Sequence, residues 1–175
     1  VKESKQTPLR TTPENESVKR NRHAVNGVIV EDIDSCMIKF AKCCTPVPGD
    51  PIIGFITRGY GVSIHREDCP NANPNLRKGE ESGRWVNVAW VDGTLPGYAT
   101  SLDISAKDRD GLTLDIAMVL SSTKVKMTSL VARGMSDGYA SVLLGLEVSN
   151  RDELTSVMNK LSQISGVYQV KRTTG

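Results

Sequence analysis

The chain has 175 residues, enough for one average domain or two small ones, and only 38% of them are hydrophobic. Aromatic residues make up 5% and the net charge is +2, which fits small folded units joined to solvated segments better than one large core. No apolar run approaches the ~20 residues of a membrane span, and no charged-then-apolar start resembles a signal peptide, so the reading is a cytoplasmic, reduced protein with no membrane partner.

Residues 1–24 hold six Lys/Arg against three Asp/Glu, almost no apolar side chain and no periodicity. They are expected to form a flexible linker, as at the tail end of something longer. Beyond them the charges balance, seven against eight over 25–90 and nine against nine over 91–175. Bulk electrostatics therefore gives no warrant for nucleic-acid binding by the folded part, and any such binding needs a local patch.

From Gly27 the pattern changes. Val28-Ile29-Val30 and Met37-Ile38-Lys39-Phe40 read as short strands, the second running into Cys43-Cys44. Pro46, Pro48, Gly49 and Pro51 forbid helix and force a tight turn. Ile52–Thr57 and Val62–Ile64 read as a hairpin joined by Arg58-Gly59-Tyr60-Gly61, and Val86–Trp90 as a further strand. This gives a β-rich unit over 25–92 and a link over 93–98.

Residues 99–175 have a cleaner rhythm. Leu102, Ile104 and Ala106 alternate as a strand, and Leu112, Ile116, Val119 and Leu120 follow the spacing of an amphipathic helix. Val125 and Met127 open a second strand that ends at the Gly134–Gly138 turn, and Ala140 to Val148 alternate over nine residues. Asn150 with Glu153 marks the start of a helix burying Leu154, Val157, Met158 and Leu161, and Val167–Arg172 closes as a strand. The order βαββαβ predicts an antiparallel sheet with both helices on one face, ferredoxin-like in topology, so the fold class is α+β.

Cys43, Cys44, His65 and Cys69 place three thiols and an imidazole within 27 residues. These are the ligands tetrahedral zinc prefers, and four of them close a structural site with no open position. A structural zinc contributes on the order of 10 kcal/mol to a small domain with few large apolar residues. The spacing of His65 and Cys69 suggests one helical turn, both facing one ion. Adjacent cysteines diverge unless the turn before Pro46 folds them inward, so Cys36 stays open as a replacement for one of them. His65-Arg66-Glu67 matches the H-x-E of zinc deaminases, but their P-C-x-x-C partner is missing, and there is no phosphate-binding G-x-x-x-x-G-K-[ST] loop. No catalytic residues are expected.

The run Phe40-Ala41-Lys42-Cys43-Cys44-Thr45-Pro46-Val47-Pro48-Gly49-Asp50, then Gly54 to Gly59 and Gly61 to Pro70, resembles the zinc-finger (conserved-cysteine) domain of the RelA/SpoT-type (p)ppGpp synthetase/hydrolases of the bacterial stringent response. The βαββαβ unit resembles their C-terminal ACT domain, with Asp108-Arg109-Asp110-Gly111-Leu112 matching its D-R-x-G-L turn. The resemblance implies a regulatory region of a GTP pyrophosphokinase that docks on ribosomal RNA and deacylated tRNA and relays starvation to upstream catalytic domains. It also implies zinc on Cys43, Cys44, His65 and Cys69, with no such role for Cys36. Lys39, Lys42, Arg58, His65 and Arg66 would meet RNA phosphates, with Tyr60 to stack on a base. For the ACT unit it implies an amino acid, a branched-chain one, held by Asp108 to Leu112 at a homodimer interface. The plain alternative is that Gly111 makes the turn and Leu112 fills the core.

Overall fold

The structure, a computed structural model, describes residues 26–92 and 97–173. The expected linker at 1–24 lies outside them, as does most of the link at 93–98. Short runs of β-branched residues build the first sheet from β1 (Val28–Val30), β2 (Ile38–Phe40), β3 (Ile52–Ile56), β4 (Val62–Arg66) and β5 (Trp85–Trp90), in the order β1-β5-β3-β4-β2. β3 and β4 form the expected antiparallel hairpin, with Ile53 opposite His65. β2 runs parallel to β4, pairing Phe40 with Ile64. That one parallel pairing makes the strand that leads to the cysteines leave the sheet on the same side as the strand that carries the histidine.

The core of this sheet is small: Val28, Val30, Ile38, Ile52, Val62 and Ile64. Between β4 and β5 the chain makes two 3-10 turns, Pro70–Ala72 and Ser82–Arg84, around a short helix α1 (Pro74–Arg77). The Asn73 side chain accepts the Asn75 and Leu76 N–H groups, and Pro74 sits at the first helical position, where a missing N–H costs nothing.

The second domain follows the expected order: β6 (Tyr98–Lys107), α2 (Leu112–Thr123), β7 (Lys126–Gly134), β8 (Tyr139–Val148), α3 (Arg151–Ser162) and β9 (Val167–Arg172). Its sheet is antiparallel throughout, in the order β7-β8-β6-β9. Period-2 alternation puts Leu102, Ile104, Val142, Leu144 and Leu146 on one face, against Ile116 and Leu120 of α2 and Leu154, Val157 and Leu161 of α3. Asn150 caps α3 by accepting the Glu153 N–H, while the Glu153 carboxylate reaches back to the Ser149 N–H, one residue before the usual capping-box position.

The two domains share a junction. Phe40 stacks on Trp90, and Tyr98 meets both edge-on, with centroids 5.6–5.7 Å apart. The loop after the cysteines enters the second domain: Val47 is fully buried in its core, and the Pro48 carbonyl accepts the first N–H of α3, from Arg151, at 2.8 Å. Gly49 follows at φ +97°, where a Cβ would sit 3.2 Å from that of Arg151, so only glycine allows this approach. Among the described residues, no helix is long and apolar enough to cross a membrane.

Candidate metal centre

The ligand atoms of Cys43, Cys44, His65 and Cys69 all lie within 4.8 Å of one another. Cys43 Sγ is 3.5 Å from His65 Nδ1, 3.6 Å from Cys69 Sγ and 3.9 Å from Cys44 Sγ, and Cys44 Sγ is 3.9 Å from His65 Nδ1. An ion held at about 2.3 Å from sulfur and about 2.0 Å from nitrogen in a tetrahedron sets ligand atoms roughly 3.5–3.8 Å apart. The spacing fits a four-coordinate ion. Cys36 is not part of the cluster: it packs, partly buried, against the core of the first sheet.

The local backbone explains how neighbouring cysteines converge. The Thr45 N–H bonds the Ala41 carbonyl at 2.9 Å, closing one helical turn over 41–45 that directs both thiols to the same side. Thr45 leaves this turn at φ +39°, a rare conformation for a β-branched residue. It is held there by Thr100, whose hydroxyl lies 3.1 Å from its own, and by Arg172, which donates to its carbonyl at 2.6 Å. The expected helical turn joining His65 to Cys69 is not what the chain forms. His65 lies in β4, and Cys69 follows a reverse turn closed by its own N–H on the Arg66 carbonyl. Pairing with β3 keeps His65 extended, and Pro70 then starts a 3-10 turn.

The second ring nitrogen, His65 Nε2, is 3.4 Å from the Ser63 hydroxyl, and the ring meets Trp85 edge-on. Such a partner fixes which nitrogen faces the thiols. Burial lowers the His65 pKa, which favours the neutral imidazole that a metal ion takes as ligand. Burial also raises Cys69 and pushes Cys44 up to about 12, against the pull of the Arg66 N–H that points at its sulfur from 3.4 Å. An ion must displace protons from these thiols, so capture weakens as pH falls.

The remaining expected site residues fall in different places. Lys39 and Tyr60 come together at the hairpin edge, the ammonium 5.5 Å from the ring centroid, and Arg58 of the same turn is almost wholly exposed and pairs with Glu81 at 3.6 Å. Lys42 is exposed near the domain junction instead, by Tyr98 and Pro46. His65 faces the thiols, and Arg66 turns away from the hairpin: its side chain is 13% exposed and forks onto Asp68 through Nε and Nη2. In the second domain Gly111 adopts φ +79° at the start of α2 and Leu112 is buried. Arg109 spends its guanidinium on the Ser165 carbonyl and Asp115, tying this loop to the chain before β9. Asp108 donates its N–H to Gly138 at the opposite hairpin.

Sequence reading missed the buried pair that joins the metal loop to the second domain. Asp50, 5% exposed, accepts both of its contacts from Arg172 Nη1 at 2.9 Å, and also takes the Val47 N–H. Trp90 Nε1 donates to the Asp50 carbonyl. The signal was an aspartate in a proline-rich turn, and its partner lies 122 residues away.

Comparison with known proteins gives two matched family models. Residues 28–91 match the RelA/SpoT RIS domain, and residues 96–172 match the ACT domain. The chain is 37% identical over 156 residues to a GTP pyrophosphokinase of Streptomyces coelicolor, with 89% of this chain and 18% of the relative covered. It is 35% identical over 158 residues to a GTP pyrophosphokinase of Escherichia coli K12, covering 89% and 21%. A bifunctional (p)ppGpp synthase/hydrolase RelA of Mycobacterium tuberculosis is 36% identical over 148 residues, covering 85% and 20%. The chain thus spans about a fifth of the length of these relatives. Among solved structures, the ACT domain from the GTP pyrophosphokinase of Chlorobium tepidum is 30% identical with a TM-score of 0.40, covering 43% of this chain and 97% of that one.

Proposed function

This chain carries the RIS domain of the RelA/SpoT family followed by an ACT domain, and on that premise we propose that it is a regulatory region of a bacterial, cytoplasmic (p)ppGpp synthetase/hydrolase. In this reading it docks on the ribosome and a deacylated tRNA and reports amino-acid starvation to catalytic domains carried elsewhere in a longer protein. The observation that carries the reading is the four-ligand cage at Cys43, Cys44, His65 and Cys69. We assign zinc to it, because three thiols and an imidazole at tetrahedral spacing match that ion's preferences. With four protein ligands no position is left for water or substrate, so the ion's part is structural. It fixes a small sheet whose hairpin edge presents Lys39, Arg58 and Tyr60 to a nucleic acid.

Co-sedimentation with ribosomes, with and without deacylated tRNA, tests the proposal. Arg58→Ala is expected to weaken binding several-fold and reduce the slope of log affinity against log salt by about 1, and Tyr60→Ala to weaken it without changing that slope. Binding that ignores both substitutions and the tRNA would overturn the docking reading.

A second reading makes the ACT domain a sensor for a branched-chain amino acid at Asp108–Leu112. Its support is the loop itself: Gly111 opens α2 in a left-handed conformation, and Arg109 pins the turn to Ser165. Titration calorimetry with Val, Ile and Leu decides it, since heat from one of them with loss in Asp110→Ala is the expected result and silence from all three ends it.

A further inference from the structure

We propose that the cleft between the two domains binds a small phosphorylated ligand of nucleotide size, held by Arg66 and Arg77 from one wall and Arg151 and Arg172 from the other. The cleft has a volume of about 690 Å³, within the usual range for small-molecule sites. Four guanidinium groups line it against three carboxylates, Asp50, Glu67 and Asp68. Two of those carboxylates are already committed. Asp68 is forked by Arg66, and Asp50 is held by Arg172.

The other two arginines keep their charge. Arg77 donates Nε and Nη2 to the carbonyls of Ala72 and Glu67, which are neutral acceptors, and among the described residues no carboxylate comes within ion-pair distance of it. Arg151 reaches Asp50 only at 3.9 Å. Against this pair the half-enclosed space offers one long contact to Asp50, already held by Arg172, and the Glu67 carboxylate, so four guanidinium groups face three carboxylates.

Two further N–H groups lack acceptors. Arg66 Nη1 and Arg172 Nε are both buried and unpartnered in the protein. A buried donor left unmatched is destabilising, so each of these groups favours a ligand that offers an acceptor. Arg66 and Arg172 line the same cleft, and their side chains are 13% and 12% exposed. A phosphate oxygen drawn to them, with a small side-chain shift, supplies the missing acceptor. Their carboxylate partners fix both guanidinium groups in advance, so little side-chain entropy is lost on binding.

The cleft also has an apolar side, formed by Pro51, Pro74, Leu154 and Met158. Inorganic phosphate has no use for that surface, whereas a nucleoside does. An RNA strand is the poorer fit: its backbone suits exposed cations such as Arg58, and here the cations line a recess. Because Arg151 and Arg172 both touch Asp50 in the metal loop, a ligand in this cleft would clamp the two domains at the point where they are joined.

The test is NMR titration of the zinc-loaded 175-residue chain, labelled with ¹⁵N, against ADP, GDP and pyrophosphate, followed by a short single-stranded RNA. Expected are shifts at Arg151, Thr155 and the Arg172 Nε–H resonance, with a nucleotide binding tighter than about 1 mM and tighter than pyrophosphate. Arg77→Gln and Arg151→Gln should each weaken binding about tenfold, and Arg151→Gln, whose side chain is largely exposed, should leave the melting temperature in place. The proposal is overturned if none of the three compounds shifts these resonances, if the shifts fall on Lys39 and Arg58, if neither variant weakens binding, or if only RNA moves the cleft residues. Since Lys39, Arg58 and Tyr60 are untouched in both variants, ribosome docking stands or falls separately.

Discussion

The RIS domain divides its buried hydrophobic residues between two small clusters, six aliphatic residues in the sheet core and five (Ala41, Cys44, Ile53, Cys69 and Ala72) around the cysteines. The ACT core, by contrast, is one cluster of seventeen, one of them, Val47, contributed by the RIS domain itself. The ACT sheet has long strands of up to ten residues with two amphipathic helices on one face, and burial alone accounts for its order. The RIS strands are three to six residues long and leave too little apolar surface to offset the entropy of its loops. The lesson lies in what substitutes for a core. A cluster of three thiols and an imidazole, spaced to hold a metal ion, closes one end of the RIS sheet, and the loop that supplies two of its thiols is anchored in the neighbouring domain through Val47, Pro48 and Asp50.

The largest effect that would sharpen this contrast comes from removing a ligand. Cys44→Ser is expected to abolish tight zinc binding and cost the RIS domain several kcal/mol of the roughly 10 kcal/mol a structural zinc supplies, while ACT amides keep their hydrogen-exchange protection. Equal loss in both domains would erase the distinction. Next is Asp50→Asn, which leaves Arg172 buried beside a neutral amide. It should cost about 3–5 kcal/mol by chemical denaturation and separate one unfolding transition into two. Val47→Ala should cost about 2 kcal/mol, and the loss should register in ACT resonances although the residue belongs to the RIS loop. Smallest is Asn150→Ala, worth about 1 kcal/mol for the lost cap of α3, expected to leave zinc affinity unchanged.

The thiols add a test of sign. In metal-free molecules whose RIS domain is still folded, burial pushes the Cys44 thiol up to about 12 against an ordinary value of 9.0. The folded state then binds the proton more tightly than the unfolded chain, so stability should be level below pH 9 and decline from there toward pH 12. With metal bound the direction reverses: protons compete for the sulfurs, and stability is lost as pH falls. Denaturant midpoints at several pH values, with and without chelator, read both directions.

Strand and helix placement was legible because the signals were local. Period-2 alternation from Ala140 to Val148 and the Asn150–Glu153 start of α3 needed no distant partner. That Cys43, Cys44, His65 and Cys69 come together was legible too, since residue type alone restricts what they can do. The turn between His65 and Cys69 was misread because a spacing of four says helix only when no strand claims the first residue, and β3 claims His65. The fork of Arg66 onto Asp68 was not legible, because it depends on the reverse turn that follows β4. The Asn73-Pro74 start of α1 was present and went unread, being four residues with no apolar stripe. Pairings such as Asp50 with Arg172 depend on how two finished domains meet, and neither residue's neighbours encode that.

Amide NMR of the full chain before and after zinc chelation tests the division of labour most directly. RIS cross-peaks, including those of Ile53, Ile64 and Val86, should broaden or collapse, while those of Leu102, Leu144 and Leu161 stay dispersed, with shifts limited to Thr100, Arg151 and Arg172 at the junction. A spectrum in which the RIS peaks persist unchanged without metal would contradict the claim that the cage does the work of a core.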